Sequence, residues 1–520
     1  SVTVSNNSAV DRGGGIYGTI GGNTLTDVTA ENNSGTGIRV TAGDNALDNV
    51  TASSNDNSVS GVVGKGIFID GDNTFTSVTA NDNSGEGIEG DGTFTDVTAN
   101  DNGGVGISGN GSFDEVTAKR NGSGGVYGSG TFTNVTVQDN FDNSDGGGIR
   151  LRGSSTLSQV TLSGNETEQS GGGLYSDGYD VDLSNVTITG NTAQNDGGGL
   201  HVEDARLRAA NVSFYGNEQT SSSSTFNGGG GLHLNNVSGT LANLVLSGNS
   251  TARNGGALYI SPDGGIPLIN VTAANNSADG EGGALYTISN NSNDFPTLRN
   301  AILWENTATS SGNEEQVFVE SGDLPVERSL IEGGVPNGAF DGGGNLNETP
   351  QFANSTGNDG TVGTADDDLR LQGPGSNNGP SPAIEAGDSG LLPDDVLDVD
   401  NDGDTSESLP LDRAGNTREM GVSGVSGSSV DMGAYESSGD PLPVELAGFD
   451  ARYDGEAVVL TWQTASETNN AGFRVQRRVG AEEGKKERAW TTVGSVKGSG
   501  TTSQPQSYRF TNTDLPYRPT

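Results

Sequence analysis

The sequence predicts an all-β protein dominated by a parallel solenoid, and three observations predict it. A Val-Thr pair or its equivalent returns thirteen times between Val2 and Ala301. An asparagine stands five residues after every return, and the spacing between returns varies while the pattern inside them does not. The shortest interval, 19 residues, occurs three times running from Val78 to Val135, and the others run from 22 to 32. Helical repeats are excluded, because an insertion would rotate their apolar face out of line. A parallel solenoid absorbs it, since each coil is a few short strands and extra residues bulge from a corner.

The anchors are Val2, Val28, Val50, Val78, Val97, Val116, Val135, Val160, Val186, Val212, Leu244, Val271 and Ala301. Three residues before the anchor stands a large apolar side chain, such as Leu25, Leu47, Phe75, Phe94, Phe113, Phe132 and Leu157, with Ala209 the one weak member. Two residues after it stands another, from Val4 and Ala30 through Ile188 and Phe214 to Leu303, and the residue between is mostly Thr or Ser. That alternation is a strand with one face buried. Stacked at about 4.8 Å, thirteen coils span roughly 60 Å and bring equivalent residues over one another. The asparagines from Asn7 to Asn306 then form a hydrogen-bonded ladder at a turn, where Asn tolerates left-handed backbone. The Gly runs supply tight corners. Phe75, Phe94, Phe113 and Phe132 are expected in one buried column.

Composition narrows the class. Gly makes up 85 of 520 residues without collagen's spacing of three, and hydrophobic residues are 30% yet fall in register, which excludes disorder. There is no cysteine for disulfides or thiolate metal sites. No apolar run approaches the length of a membrane-spanning helix. The N-terminus carries no signal-peptide pattern and starts inside a repeat, which suggests a fragment or mature form. The formal charge is −43; from Leu442 onward 10 basic residues stand against 9 acidic ones, leaving 15 against 59 before it. Such a field repels nucleic acid and anionic lipid. Only 5 of the 25 basic residues are Lys, a balance that suits either strong brine or an acidic calcium-binding surface.

These repeats resemble the right-handed parallel β-helix, or pectin-lyase-like, family over about residues 1–335. They are most similar to polymorphic outer-membrane protein repeats, which join a turn Asn to Gly-Gly-(Ala/Gly)-(Ile/Leu), as at Gly171 to Leu174 and Gly255 to Leu258. The resemblance implies the fold; lyases, hydrolases and adhesins all use it. From 346 to 440 the register is lost, with 14 acidic residues and one basic between Asp359 and Asp412. DLRLQGPGSNNGPSPAIEAGD (Asp368 to Asp388) and VDMGAYE (Val430 to Glu436) resemble the choice-of-anchor Q domain of bacterial surface proteins. Residues 441–520 alternate Val458, Leu460 and Trp462, then Phe473 and Val475, as half-buried strands. They look like a partial fibronectin III-like β-sandwich of the kind near the C-terminus of type IX-secreted proteins, which implies export. The expected organisation is therefore β-helix at 1–345, an acidic anchor-like region at 346–440 and the sandwich module at 441–520.

Candidate chemistry is sparse. Asp398, Asp400, Asp402, Gly403 and Asp404 give carboxylates at positions 1, 3 and 5 with Gly at 6, the spacing of a calcium loop. Position 12 is Leu409, so Glu407 or Asp412 would have to complete the shell. NDGTVGTADDD (Asn358 to Asp368) is a weaker second candidate. Tyr175, His201, His233, Tyr259 and Tyr286 occupy one position of five successive coils, a stripe that either grips sugar faces or simply packs as a ladder. The register places Asp180 over Arg206 and Asp182 over Arg208, with Asp177 and Glu203 nearby. In β-helix lyases acids bind calcium and a basic residue abstracts the proton, yet ion pairing between coils explains the same residues. The expectation is a secreted or cell-surface, non-enzymatic protein of adhesion, matrix or envelope structure, calcium-stabilised, with polysaccharide or other glycan as partner. It binds no nucleic acid and does not span a membrane. The alternative is a polysaccharide lyase or glycoside hydrolase acting on acidic polysaccharide.

Overall fold

The computed structural model describes the chain except residues 10–13, 57–63, 262–264, 289–294, 310–315, 374–375, 377–378, 401, 420–421, 423–424, 426–429, 438–443, 454–456, 478–490, 503–504 and 513–520. Contacts divide it into two units, one of Ser1–Gln372, Pro380–Gly421 and Val425–Ser437, the other of Gly373–Gly379, Val422–Gly424 and Ser438–Thr520.

The first unit is a parallel β-helix. The coil quoted by Leu174–Asp177, Val181–Ser184, Thr187–Thr189 and Thr192–Ala193 shows the plan: one strand follows the Gly run, one precedes the anchor, one follows it, and a two-residue strand follows the ladder asparagine. Each pairs in parallel with its counterpart one coil on, as in Val28↔Val50, Phe94↔Phe113 and Leu174↔Leu200. The expected register therefore holds. Phe75, Phe94, Phe113 and Phe132 are fully buried and stack with centroids 4.5, 4.6 and 4.5 Å apart. In the 19-residue coils the large ring shares the core with the small Ala80, Ala99 and Ala118, which are equally buried.

The ladder is a continuous chain of buried amides. Asn121 Nδ2 donates to Asn140 Oδ1 (2.8 Å) and to the Ala99 carbonyl (2.9 Å), its backbone N–H donates to Asn140 Oδ1 (2.9 Å), and its Oδ1 accepts from Asn102. One detail departs from expectation. The ladder asparagines are not themselves left-handed; the residue before each one is, including Asn32 (φ 54), Asp82 (φ 57), Asp101 (φ 57) and Arg120 (φ 52). The left-handed residue turns the chain, and the turn aims the next side chain inward. A second left-handed position precedes every anchor from Asp27 to Asn300. There, Asn185, Asn211, Asn243 and Asn270 build a further amide ladder, with Asn243 Nδ2 2.8 Å from Asn211 Oδ1. The Gly runs are explained by contact: a Cβ on Gly198 would lie 2.4 Å from the Gly230 carbonyl oxygen, and Gly197 has φ +67.

The helix also runs past the thirteen anchors, by one coil and a further strand, Ala339–Gly343, stacked on Leu324–Glu327. Val317–Ser321, Leu324–Glu327 and Leu330–Ile331 continue the stacking. Buried Ser329 replaces Val at the anchor, and Gln316 replaces the next ladder asparagine by taking Asn306 Nδ2 on its Oε1 at 2.7 Å. This coil has neither Val-Thr nor a ladder Asn, yet it falls within the expected β-helix at 1–345.

The second unit is an antiparallel sheet of Val444–Tyr453, Val458–Arg477, Thr491–Thr502 and Gln506–Asn512. The first half of the long strand pairs with the first and last strands and its second half with Thr491–Thr502. Trp462 is buried against Phe473 and Tyr508.

Candidate functional site

The strand after the anchor has two outward positions, mostly polar; in the later coils the first runs Ser213, Val245, Thr272 and the second Tyr215, Ser247, Ala274. An outward apolar patch needs a cover, and the segment from Phe352 to Ser437 supplies it. Leu369 and Ala434 pack on Tyr215, Val245 and Ala274, with Phe352 and Tyr435 beside them; Val399 and Leu409 pack on Ala210 and Ala242. Polar contacts fasten this strap to the coils. Arg413 Nε donates to Ser213 Oγ (2.8 Å), Ala434 N to Thr272 Oγ1 (2.9 Å), and Ser247 Oγ to Asp367 Oδ2 (2.6 Å). Gly433 (φ +92) is forced, since a Cβ there would lie 2.6 Å from Thr272 Oγ1 and 2.8 Å from Ile302. The VDMGAYE motif is thus a docking element. Its sequence signal was the arrival of Tyr215, Val245 and Ala274 at outward positions in coils far away along the chain.

The acidic loop hangs from this strap at Val399. Asp398, Asp400 and Asp402 each bring a carboxylate oxygen within 4.8 Å of the others. The loop is pre-shaped by its own backbone: Gly403 N donates to Asp398 Oδ1 (3.2 Å) and Asp402 N to Asp400 Oδ1 (3.3 Å). Asp404 does not join them. Its Oδ1 is taken by the Ser406 hydroxyl (2.7 Å) and backbone N–H (3.0 Å), which hold its carboxyl below the usual range. Asn401 lies outside the described residues. Of the two residues weighed for closing the shell, Asp412 is fully buried and spent on Ala414 N, Asn416 and Glu436 N. Glu407 instead meets Asp395 and Asp400, again with oxygens within 4.8 Å. Asp395, 1% exposed, was missed because it precedes the motif. Burial raises the Asp395 and Glu407 carboxyls, and the surrounding aspartates raise them further. Mutual repulsion of this kind is what a divalent cation relieves, and hard oxygen donors are the set that calcium takes, so the residues fit the ion. The Asn358–Asp368 loop spends its acids differently. Asp366 caps the backbone of Asn358 and takes the Thr364 hydroxyl, Asp368 pairs with Arg370, and among the described residues no three of its carboxylates converge.

The ring stripe is a continuous stack from Tyr175 through His201, His233, Tyr259 and Tyr286, and it extends to Phe318, with centroids 4.7 to 5.4 Å apart. From His201 to Tyr286 the residues are buried, so ring faces meet each other rather than a sugar. Burial, with the neighbouring His201, lowers His233 to about 4, leaving it neutral and bonded to the Gly228 carbonyl through Nδ1 (3.1 Å). The end of the long insertion Glu218 to Gly231 is fixed beside His233: Asn227 N and Gly228 N donate to Asp196 Oδ1, and the Phe226 carbonyl accepts from Arg253.

Asp180 and Arg206 form a surface pair at 3.1 Å, and Arg208 grips Asp182 with two bonds, Nε to Oδ1 at 2.7 Å. Both pairs bridge adjacent coils as the register required. An exposed pair such as Asp180–Arg206 is worth about 0–1 kcal/mol.

Ladder, rungs and turns define a right-handed parallel β-helix repeat protein. Residues 125–302 match the family model described as right handed beta helix region, and residues 1–19 match that of the Chlamydia polymorphic membrane protein (Chlamydia_PMP) repeat. No curated protein and no solved structure matches the chain.

Proposed function

We propose that this chain is a secreted or cell-surface β-helix protein that works without catalysis, in adhesion, matrix or envelope structure, with calcium in its acidic loop and glycan as partner. The observation that carries the reading is the state of the charges on the outer face. A lyase or hydrolase needs carboxylates and an Arg or Lys converging on one reacting atom. Asp180, Asp182, Arg206 and Arg208 saturate one another across stacked strands instead. The surface location is supported by the match of residues 1–19 to a membrane-protein repeat and by the resemblance of the strap to choice-of-anchor Q domains. The resemblance of residues 441–520 to a fibronectin III-like export module supports secretion.

Two measurements test this. Incubation with a panel of acidic polysaccharides plus calcium, followed for unsaturated product and new reducing ends, is expected to give binding without turnover. Turnover abolished by Arg206→Ala would establish the enzyme instead. Calorimetric titration with calcium is expected to show binding that raises thermal stability by mass action, about 2.7 kcal/mol at a hundredfold excess over Kd. The Asp400→Asn, Asp402→Asn double variant removes it; unchanged binding in that variant would reject the loop.

A further inference from the structure

The strap is fastened at its end by a buried charge cluster that the proposed function does not use. Arg418 is 0% exposed and reaches across to the coils, donating from Nε (3.2 Å) and Nη2 (2.6 Å) to Asn243 Oδ1 and from Nη2 to the Gly433 carbonyl (2.8 Å). Its Nη1 pairs with Glu436 Oε1. Around this one guanidinium stand three buried carboxyls, Asp412, Asp431 and Glu436, the last only 5% exposed. Asp412 accepts from Ala414 N (2.8 Å), Asn416 N (2.7 Å) and Asn416 Nδ2 (3.0 Å). Asp431 accepts Glu385 N (2.8 Å) and Ser437 N (2.7 Å), and its own N–H is shared by both Glu436 oxygens at 3.1 Å. Asn243, Thr272 and Asn300 face the cluster from the coils, and none of them titrates. The charged and titratable neighbours on the strap and on its borders are Arg413, Glu385, Asp368, Tyr435 and the coil's Tyr215. Three buried carboxylates against the single charge of Arg418 are costly.

We propose that the strap is a proton-held latch: it docks on the coils with one proton retained in the Asp431–Glu436 pair beside Arg418, and it undocks as that proton passes to solvent. Burial pushes both acids up, Asp431 to about 6 and Glu436 to about 9, against the pull of Arg418. A carboxyl raised on docking contributes stability that is complete below its unfolded value and is lost as pH rises through the docked one. The window thus runs upward from about 4.5 to about 9. Above about 6, where Glu436 alone still holds its proton, the docked-to-undocked ratio falls about tenfold per pH unit.

Hydrogen exchange on the full chain reads this directly, as protection factors already normalised for base catalysis. The Gly433 and Ala434 amides, bonded to Asn300 O and Thr272 Oγ1 of the coils, report docking. Between pH 6 and 9 their protection is expected to fall about tenfold per unit in the wild type, while amides of the 19-residue coils stay level. Glu436→Gln, which mimics the protonated acid, is expected to flatten the slope; if that variant does not dock, Asp431→Asn, which removes the neighbouring charge that helps raise Glu436, is expected to move the fall to lower pH. Level protection in the wild type, or a slope unchanged in the docked variant, overturns the latch.

Discussion

Phe113→Ala is expected to destabilise the β-helix by about 3–5 kcal/mol, the cost of emptying a buried aromatic site that cannot collapse. The ring is fully buried and stacked between Phe94 and Phe132 at 4.6 and 4.5 Å. The walls of the resulting void are parallel strands locked in register one coil above and one below, so relaxation is restricted. Two stacked faces are also lost, each worth about 0.5–1.5 kcal/mol beyond burial. Because each coil contacts only its neighbours, the damage is local, and the short coils should open before the later ones. Urea unfolding combined with exchange at Val97, Val116 and Val135 measures it. A loss under about 1 kcal/mol would mean that the column closes up, contrary to the rigidity that the register implies.

Asn121→Ala removes less volume and is expected to cost as much, about 3–5 kcal/mol, because it strands buried polar partners at about 1–3 kcal/mol each. The Ala99 carbonyl and the Asn102 side-chain amide lose their bonds to this side chain, and the Asn102 backbone N–H, which donates to Asn121 Oδ1 at 3.1 Å, is stranded as well. None of these sites is open to water, since the flanking asparagines are 1–2% exposed. Asn121→Asp separates bonding from volume: it is isosteric, yet it turns an acceptor toward Asn140 Oδ1 and the Ala99 carbonyl where a donor stood. It is expected to be at least as damaging as Ala, read as the shift in urea midpoint. An Asp variant close to wild type would show that the amide ladder contributes packing alone.

The sequence by itself determined the coil. A recurring Asn, an apolar residue three before the anchor and another two after it are each constraints on a single position. Stacking makes that position meet its own copies, so periodicity in the chain becomes contact in space. For the same reason the Phe column, the asparagine ladder and the Asp182–Arg208 pair could be aligned before any coordinate was known. Only the tertiary structure decided what lies across the coils. Arg418 meets Asn243 from 175 residues away, and Arg413 meets Ser213 from 200 away. Contacts of that kind have no period, so the strap read as an acidic loop and its docking motif carried no visible role. The calcium candidate divides along the same line. Spacing along the loop identified Asp398, Asp400 and Asp402. The fold turned Asp404 to Ser406 and brought Asp395 and Glu407 to Asp400, because where a carboxylate points depends on which donors the folded chain leaves within its reach.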